Sequence, residues 1–176
     1  MKKVVLLTIF AALMMISSAA VAQTATGTLT VTATVQGSIG LVFNSDASGV
    51  ALASGAGTNT ATLAFGNVSA FGAIAAGIVR STTATNFTVS SAVDVQVSKT
   101  NSASANYTLK AQLGAADAVN NWSVGGIAVT NAAQSTLTAT GTYGANSNFP
   151  VAITVPFTTA SGTLISNTIN YTATAN

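Results

Sequence analysis

From residue 28 to residue 35 the chain alternates threonine with an apolar side chain. Leu29, Val31, Ala33 and Val35 take one parity, and Thr28, Thr30, Thr32 and Thr34 the other. Successive side chains of an extended strand point to opposite faces, so the pattern predicts a strand within residues 23–37 that has one apolar face. Gly37 gives a turn signal before the next apolar run. Two fates suit such a strand. It can pair along an edge of its own sheet, or it can leave its domain and join a sheet of another subunit, where the backbone ladder supplies affinity and side-chain pockets supply specificity.

The later segments repeat the alternation. Residues 38–43 (SIGLVF) predict a short strand, and residues 44–59, rich in Ser, Gly, Ala and Asn, predict a loop or loose hairpin. Residues 62–65 read as a strand closed by the Gly66-Asn67 turn, while residues 71–78 carry no clear period. Phe87, Val89, Val93, Val95 and Val97 share one parity of residues 86–98, and Tyr107, Leu109, Ala111 and Leu113 repeat it. The polar residues 100–106 between these runs predict that they pair as a hairpin. Residues 122–129, broken at Gly125-Gly126, and residues 137–143 predict a further hairpin across residues 130–136. Residues 149–157 alternate from Phe149 to Phe157, but Pro150 and Pro156 cannot donate to a ladder and predict an edge or bulged strand. Ile165, Asn167, Ile169, Tyr171, Ala173 and Ala175 share one face of a C-terminal strand. No segment sustains a helical period with caps. Short strands separated by turn clusters predict an all-β sandwich, with a closed barrel as the structural alternative.

Composition changes this picture at the start of the chain. Residues 1–22 run from Lys2 and Lys3 through an apolar stretch, residues 4–15, to the small residues Ser17, Ser18, Ala19, Ala20, Val21 and Ala22. That order predicts a signal peptide cleaved after Ala22, with an apolar run too short to span a bilayer. Cleavage there leaves 176 minus 22, or 154, residues, enough for one domain with a core of ordinary size. Once Lys2 and Lys3 are removed, Arg80, Lys99 and Lys110 face Asp46, Asp94 and Asp117, and the mature chain is formally neutral. A nucleic-acid partner and an anionic membrane surface are excluded on charge. So few charges oppose self-association weakly, which suits a polymer.

Chemistry is constrained further. The chain has no His and no Cys, and its three acids are all Asp. Thiol and imidazole catalysis and the usual zinc ligand sets are therefore excluded, and a serine or threonine nucleophile would have only Lys99 or Lys110 as a base. Asp46, Asp94 and Asp117 are scattered, and none lies in a calcium-loop pattern. The reading is of a non-enzyme with no catalytic residues, no metal, no cofactor and no small-molecule substrate. Trp122, alone in a strand, reads as core rather than as a sugar platform.

Three features together resemble the spore coat protein U family, which includes major subunits of archaic chaperone-usher pili. They are Thr26-Gly27-Thr28-Leu29-Thr30-Val31 directly after the signal, Leu63-Ala64-Phe65-Gly66, which is similar to that family's L-x-F-G segment, and the long alternating strand that ends the chain. The resemblance implies an incomplete immunoglobulin-like β-sandwich, residues 38–176, which lacks its final strand. A periplasmic chaperone lends that strand first. In the fibre, the N-terminal extension of the next identical subunit, residues 23–37, replaces it. Carried onto this chain, the donor residues are Leu29, Val31, Ala33 and Val35, and the acceptor groove is lined in part by Ile165, Ile169 and Tyr171. The resemblance further implies an outer-membrane usher, export through the periplasm, and an extracellular pilus or fimbria with a role in attachment or biofilm. The chain departs from the family's pattern in lacking its disulfide, with Ile39 and Ser90 or Ser91 in the regions where cysteines are common, and in its polar terminus, residues 171–176.

Rival classes use parts of the same pattern. A secreted surface-layer or matrix protein would have a self-complete β-sandwich, with its first strand paired inside its own domain. An outer-membrane barrel needs aromatic girdles, which 6% aromatic residues among Thr-rich strands do not supply. An ice-binding solenoid would repeat the Thr-x-Thr ladder at a fixed period, and the ladder does not recur.

Overall fold

Strands in this chain appear where alternation finds a partner on at least one side, and the buried parity is the apolar one. The computed structural model describes residues 26–176. The expected signal peptide, residues 1–22, and the first residues of the extension, 23–25, lie outside the described residues. The strands are β1 (Ser38–Ser45), β2 (Val79–Thr82), β3 (Asn86–Ser91), β4 (Val93–Thr100), β5 (Tyr107–Leu113), β6 (Asn121–Val124), β7 (Ile127–Val129), β8 (Ser135–Gly141), β9 (Asn146–Asn148), β10 (Val151–Pro156) and β11 (Ile169–Ala175). No helix occurs among the described residues, and the protein is all-β.

Three antiparallel sheets hold these strands, in the orders β2-β3-β10-β6-β7, β1-β4-β9 and β11-β5-β8. The alternation of residues 86–98 keeps one buried parity throughout but serves two sheets, because the chain leaves the five-stranded sheet at Ala92 and continues as β4 in another. Residues 146–156 make the same passage between β9 and β10. Ser91, the one buried polar residue among the described residues, is satisfied at the first crossing, where its hydroxyl accepts from Val50 N–H at 2.7 Å. Val89, Val95, Val97, Tyr107, Leu109 and Val124 are fully enclosed and anchor the core.

Several pairings differ from those the pattern predicts. The run ending in β4 does not pair with β5; residues 101–106 carry the chain across to the sheet where β5 lies between β11 and β8. Likewise β7 does not pair with β8, and the hairpin that does form is β6 with β7, turning at Gly125-Gly126. β10 is a central strand rather than an edge, flanked by β3 and β6. Pro150 precedes it and Pro156 is its last residue, so neither missing N–H falls inside the ladder. In residues 62–65 only Thr62 pairs, in an isolated bridge with Ser54, while Leu63 and Phe65 pack half-buried against the core. The C-terminal strand starts at Ile169 rather than at Ile165.

The chain divides into two units, the second being Val35–Asn176, which holds every strand named above. The described part of the first, residues 26–34, contains no strand, and Leu29 and Val31 are 88% and 81% exposed. Val35, just beyond it, is 74% exposed. An alternating sequence is a strand only when something accepts its backbone hydrogen bonds.

Candidate functional site

β1 and β11 each stand at the edge of a three-stranded sheet. Which backbone groups each strand leaves outward follows from the ladders. Leu113 N–H donates to Thr130 O on the far side of β5, Gly114 N–H donates to Thr168 O, and Asn176 N–H donates to Asn106 O. The even residues of β11 therefore bond to β5, and Ile169, Tyr171, Ala173 and Ala175 direct their N–H and C=O groups outward, with no backbone partner within Val35–Asn176. These residues also carry the apolar face, since they pair with the buried Leu113, Ala111, Leu109 and Tyr107.

On β1 the odd residues face inward, with Leu41 opposite Val97 and Phe43 opposite Val95. The outward groups of Phe43 are taken by a turn: Phe43 N–H donates to Thr58 O at 2.8 Å, and Gly57 N–H donates to Phe43 O at 2.7 Å. The turn is closed behind by Ala53 N–H to Thr62 O and Thr62 N–H to Ser54 O. Ile39 and Leu41 keep their outward groups without a backbone partner within the same unit.

The two edges meet at one aromatic contact. The rings of Phe43 and Tyr171 lie edge to face, with centroids 5.1 Å apart and planes at 72°. Burial pushes the Tyr171 hydroxyl above its ordinary range, as expected for a phenol in an apolar seam. Along the seam Ile39, Leu41, Phe43, Ile169, Tyr171 and Ala173 are only half-buried, unlike the fully enclosed residues one strand further in.

Two of the three predicted acceptor residues share one face of β11. Ile169 and Tyr171 are in β11, and Ile165 lies before it, lining two cavities of about 280 and 230 Å³. The β1 wall, with Leu41 and Phe43, and the Gly57-Thr58 turn were not marked as site residues by the sequence pattern. Their signal was the odd-parity Ile39, Leu41 and Phe43, which reads like any half-buried strand. The predicted donor residues Leu29, Val31, Ala33 and Val35 are all exposed.

The acids have structural partners. Asp117 Oδ1 accepts from the N–H groups of Val119 (3.0 Å) and Asn120 (2.9 Å), and Oδ2 accepts from Trp122 Nε1 (2.8 Å) and Asn120 Nδ2 (3.0 Å). Burial opposes its charge, but these donors outweigh burial and hold its pKa at about 2. Asp46 and Asp94, far apart in sequence, are brought together by Asn148, whose Nδ2 donates to Asp46 Oδ2 at 2.8 Å and to Asp94 Oδ1 at 3.2 Å. No group of three or more His, Cys, Asp or Glu side chains converges among the described residues.

The fold and this seam define an all-β protein in which two edge strands from different sheets turn apolar faces toward each other. No protein-family model, curated protein or solved structure matches the chain.

Proposed function

We propose that this chain is the structural subunit of an extracellular fibre, a pilus or fimbria, in which each subunit completes its neighbour by donating a strand. On this reading residues 38–176 form an immunoglobulin-like sandwich missing one strand, and the place of that strand is the seam between β1 and β11. The observation that carries the reading is the outward edge of β11, where the N–H and C=O groups of Ile169, Tyr171, Ala173 and Ala175 have no backbone partner within that unit above a half-buried apolar floor. An edge of this kind invites pairing with another chain. The exposed stretch from Leu29 to Val35 matches it in length and alternation. Burying Leu29, Val31 and Val35 contributes ~1.5–3 kcal/mol each, to which a continuous ladder adds.

Direction follows from where the extension departs. Ser38 pairs with Thr100 and Ala175 with Tyr107, the residues that bound the connection from β4 to β5, so β1 begins at the end of the seam where β11 finishes. An incoming strand that runs parallel to β1 and antiparallel to β11 places its own domain at the opposite end, clear of the acceptor's departing chain. Repetition then gives a head-to-tail homopolymer. The resemblance to the spore coat protein U family supports the same assembly, with export through the periplasm, a chaperone that covers the β11 edge, an outer-membrane usher, and a role in surface attachment or biofilm.

The test is immunogold microscopy of material sheared from cells, together with gels of unheated samples. The reading requires labelled fibres and a ladder of detergent-resistant oligomers. A protein recovered only as a monomer, with the first strand paired inside its own domain, would replace this reading with that of a self-complete surface-layer or matrix protein.

A further inference from the structure

Donor-strand exchange leaves unspecified which donor residue faces which level of the seam. We infer that Ala33 sets the register of the inserted strand by passing the level of Phe43 and Tyr171; this rests on the donor-strand reading above. The levels follow from one contact. Phe43 meets Tyr171, the two strands run in opposite senses, and inward residues recur at every second position. Leu41 is therefore level with Ala173, Ile39 with Ala175, and Ser45 with Ile169.

Two independent features set the Phe43 level apart. Two aromatic rings in edge-to-face contact fill its floor. The Gly57-Thr58 turn also occupies the outward groups of Phe43, so a strand passing there finds edge groups only on β11. The neighbouring levels pair a larger residue with a smaller one, Leu41 with Ala173 and Ser45 with Ile169, and leave more room. The extension has the complementary order, since Val31 and Val35 flank Ala33, the one small residue on the apolar face between Leu29 and Val35. With Ala33 over the rings, both valines fall on the roomier levels whichever way the strand runs. A shift by two residues forces a valine onto the rings, and a shift by one turns the threonines inward.

The experiment uses the full-length chain and fluorescent peptides of residues 23–37, with affinity read by anisotropy. The wild-type peptide is expected to bind, and the Ala33→Leu peptide to bind about tenfold more weakly, because an added isobutyl group overpacks a filled level. The loss is expected to be recovered on a chain carrying Phe43→Val and, independently, on one carrying Tyr171→Ala, each checked by circular dichroism to be folded. An Ala33→Leu peptide that binds the wild-type chain as tightly as the unaltered peptide overturns the register while leaving strand exchange standing. So does a loss that neither acceptor variant recovers. A wild-type peptide that does not bind sinks the donor-strand reading itself, and the register with it.

Discussion

A Cβ on Gly141 would stand 2.2 Å from Cζ of Tyr107, its direct partner across the β5–β8 ladder. The fully buried tyrosine ring thus lies over the space that any larger residue would need. Ala at position 141 must displace a ring held among Val95, Val97 and Leu109. Gly141→Ala is expected to lower stability by about 1–3 kcal/mol, seen as a lower urea midpoint. Gly27→Ala, with nothing within 4 Å, serves as the control and should leave the midpoint unchanged. Equal midpoints for the two variants would refute the packing argument.

Asp117 ties the turn before β6 to the indole of Trp122, and its folded pKa of about 2 lies below the ordinary carboxylate range. A depressed carboxylate contributes stability that is fully present above its unfolded pKa and is lost as pH falls through the folded one. The wild type should therefore melt above Asp117→Asn by a constant margin at neutral pH, and the margin should shrink between about pH 4 and pH 2. A margin independent of pH across that window would show that the carboxylate charge is not what holds the turn.

Val31→Asp puts a carboxylate in the middle of the proposed donor face. Burying it unpaired costs several kcal/mol, enough to prevent insertion. The variant alone should fail to polymerise, yet its seam is intact and should accept a wild-type strand. Mixed with wild-type chains it should therefore enter fibres only as a chain-terminating end and shorten them in proportion to its share. Normal fibre lengths in such mixtures, or an unfolded variant, would argue against a donor role for this stretch.

Reductant should leave the melting temperature unchanged, because the chain has no cysteine. Chelator is expected to be equally without effect. A fall in melting temperature on adding chelator would reveal a cation site, and Asp46 and Asp94, the two carboxylates that share Asn148, would be the first to substitute in finding it.

Alternation was legible because its period is local: the inward parity of β3, β4, β5, β10 and β11 could be read residue by residue. Pairing was not, because it depends on where a connection lands. Residues 101–106 look like a hairpin loop but carry the chain between sheets, and the choice is made by the distant β8 and β11, which flank β5 on both sides. Pro150 and Pro156 misled in the same way, since a proline just outside or at the end of a strand removes no interior ladder bond. The apolar face of β11, one wall of the seam, could be found from Ile169 and Tyr171, though not its start, since Ile165 lies before the strand. The opposite wall could not, because nothing local in Ile39, Leu41 and Phe43 tells which strand will lie beside them.

The two passages between sheets, at Ala92 and at Phe149-Pro150, lie against each other: Phe149 N–H donates to Val93 O at 2.8 Å, Val151 pairs with Ser91 above, and Asn148 pairs with Asp94 below. Two runs of chain, bonded to one another along their course, are thus each woven into the same two sheets, the five-stranded one and β1-β4-β9. Prying these two sheets apart would tear both runs at the same point. Small disulfide-stapled domains resist such opening with a covalent cross-link. This chain, with no cysteine, achieves it by lacing.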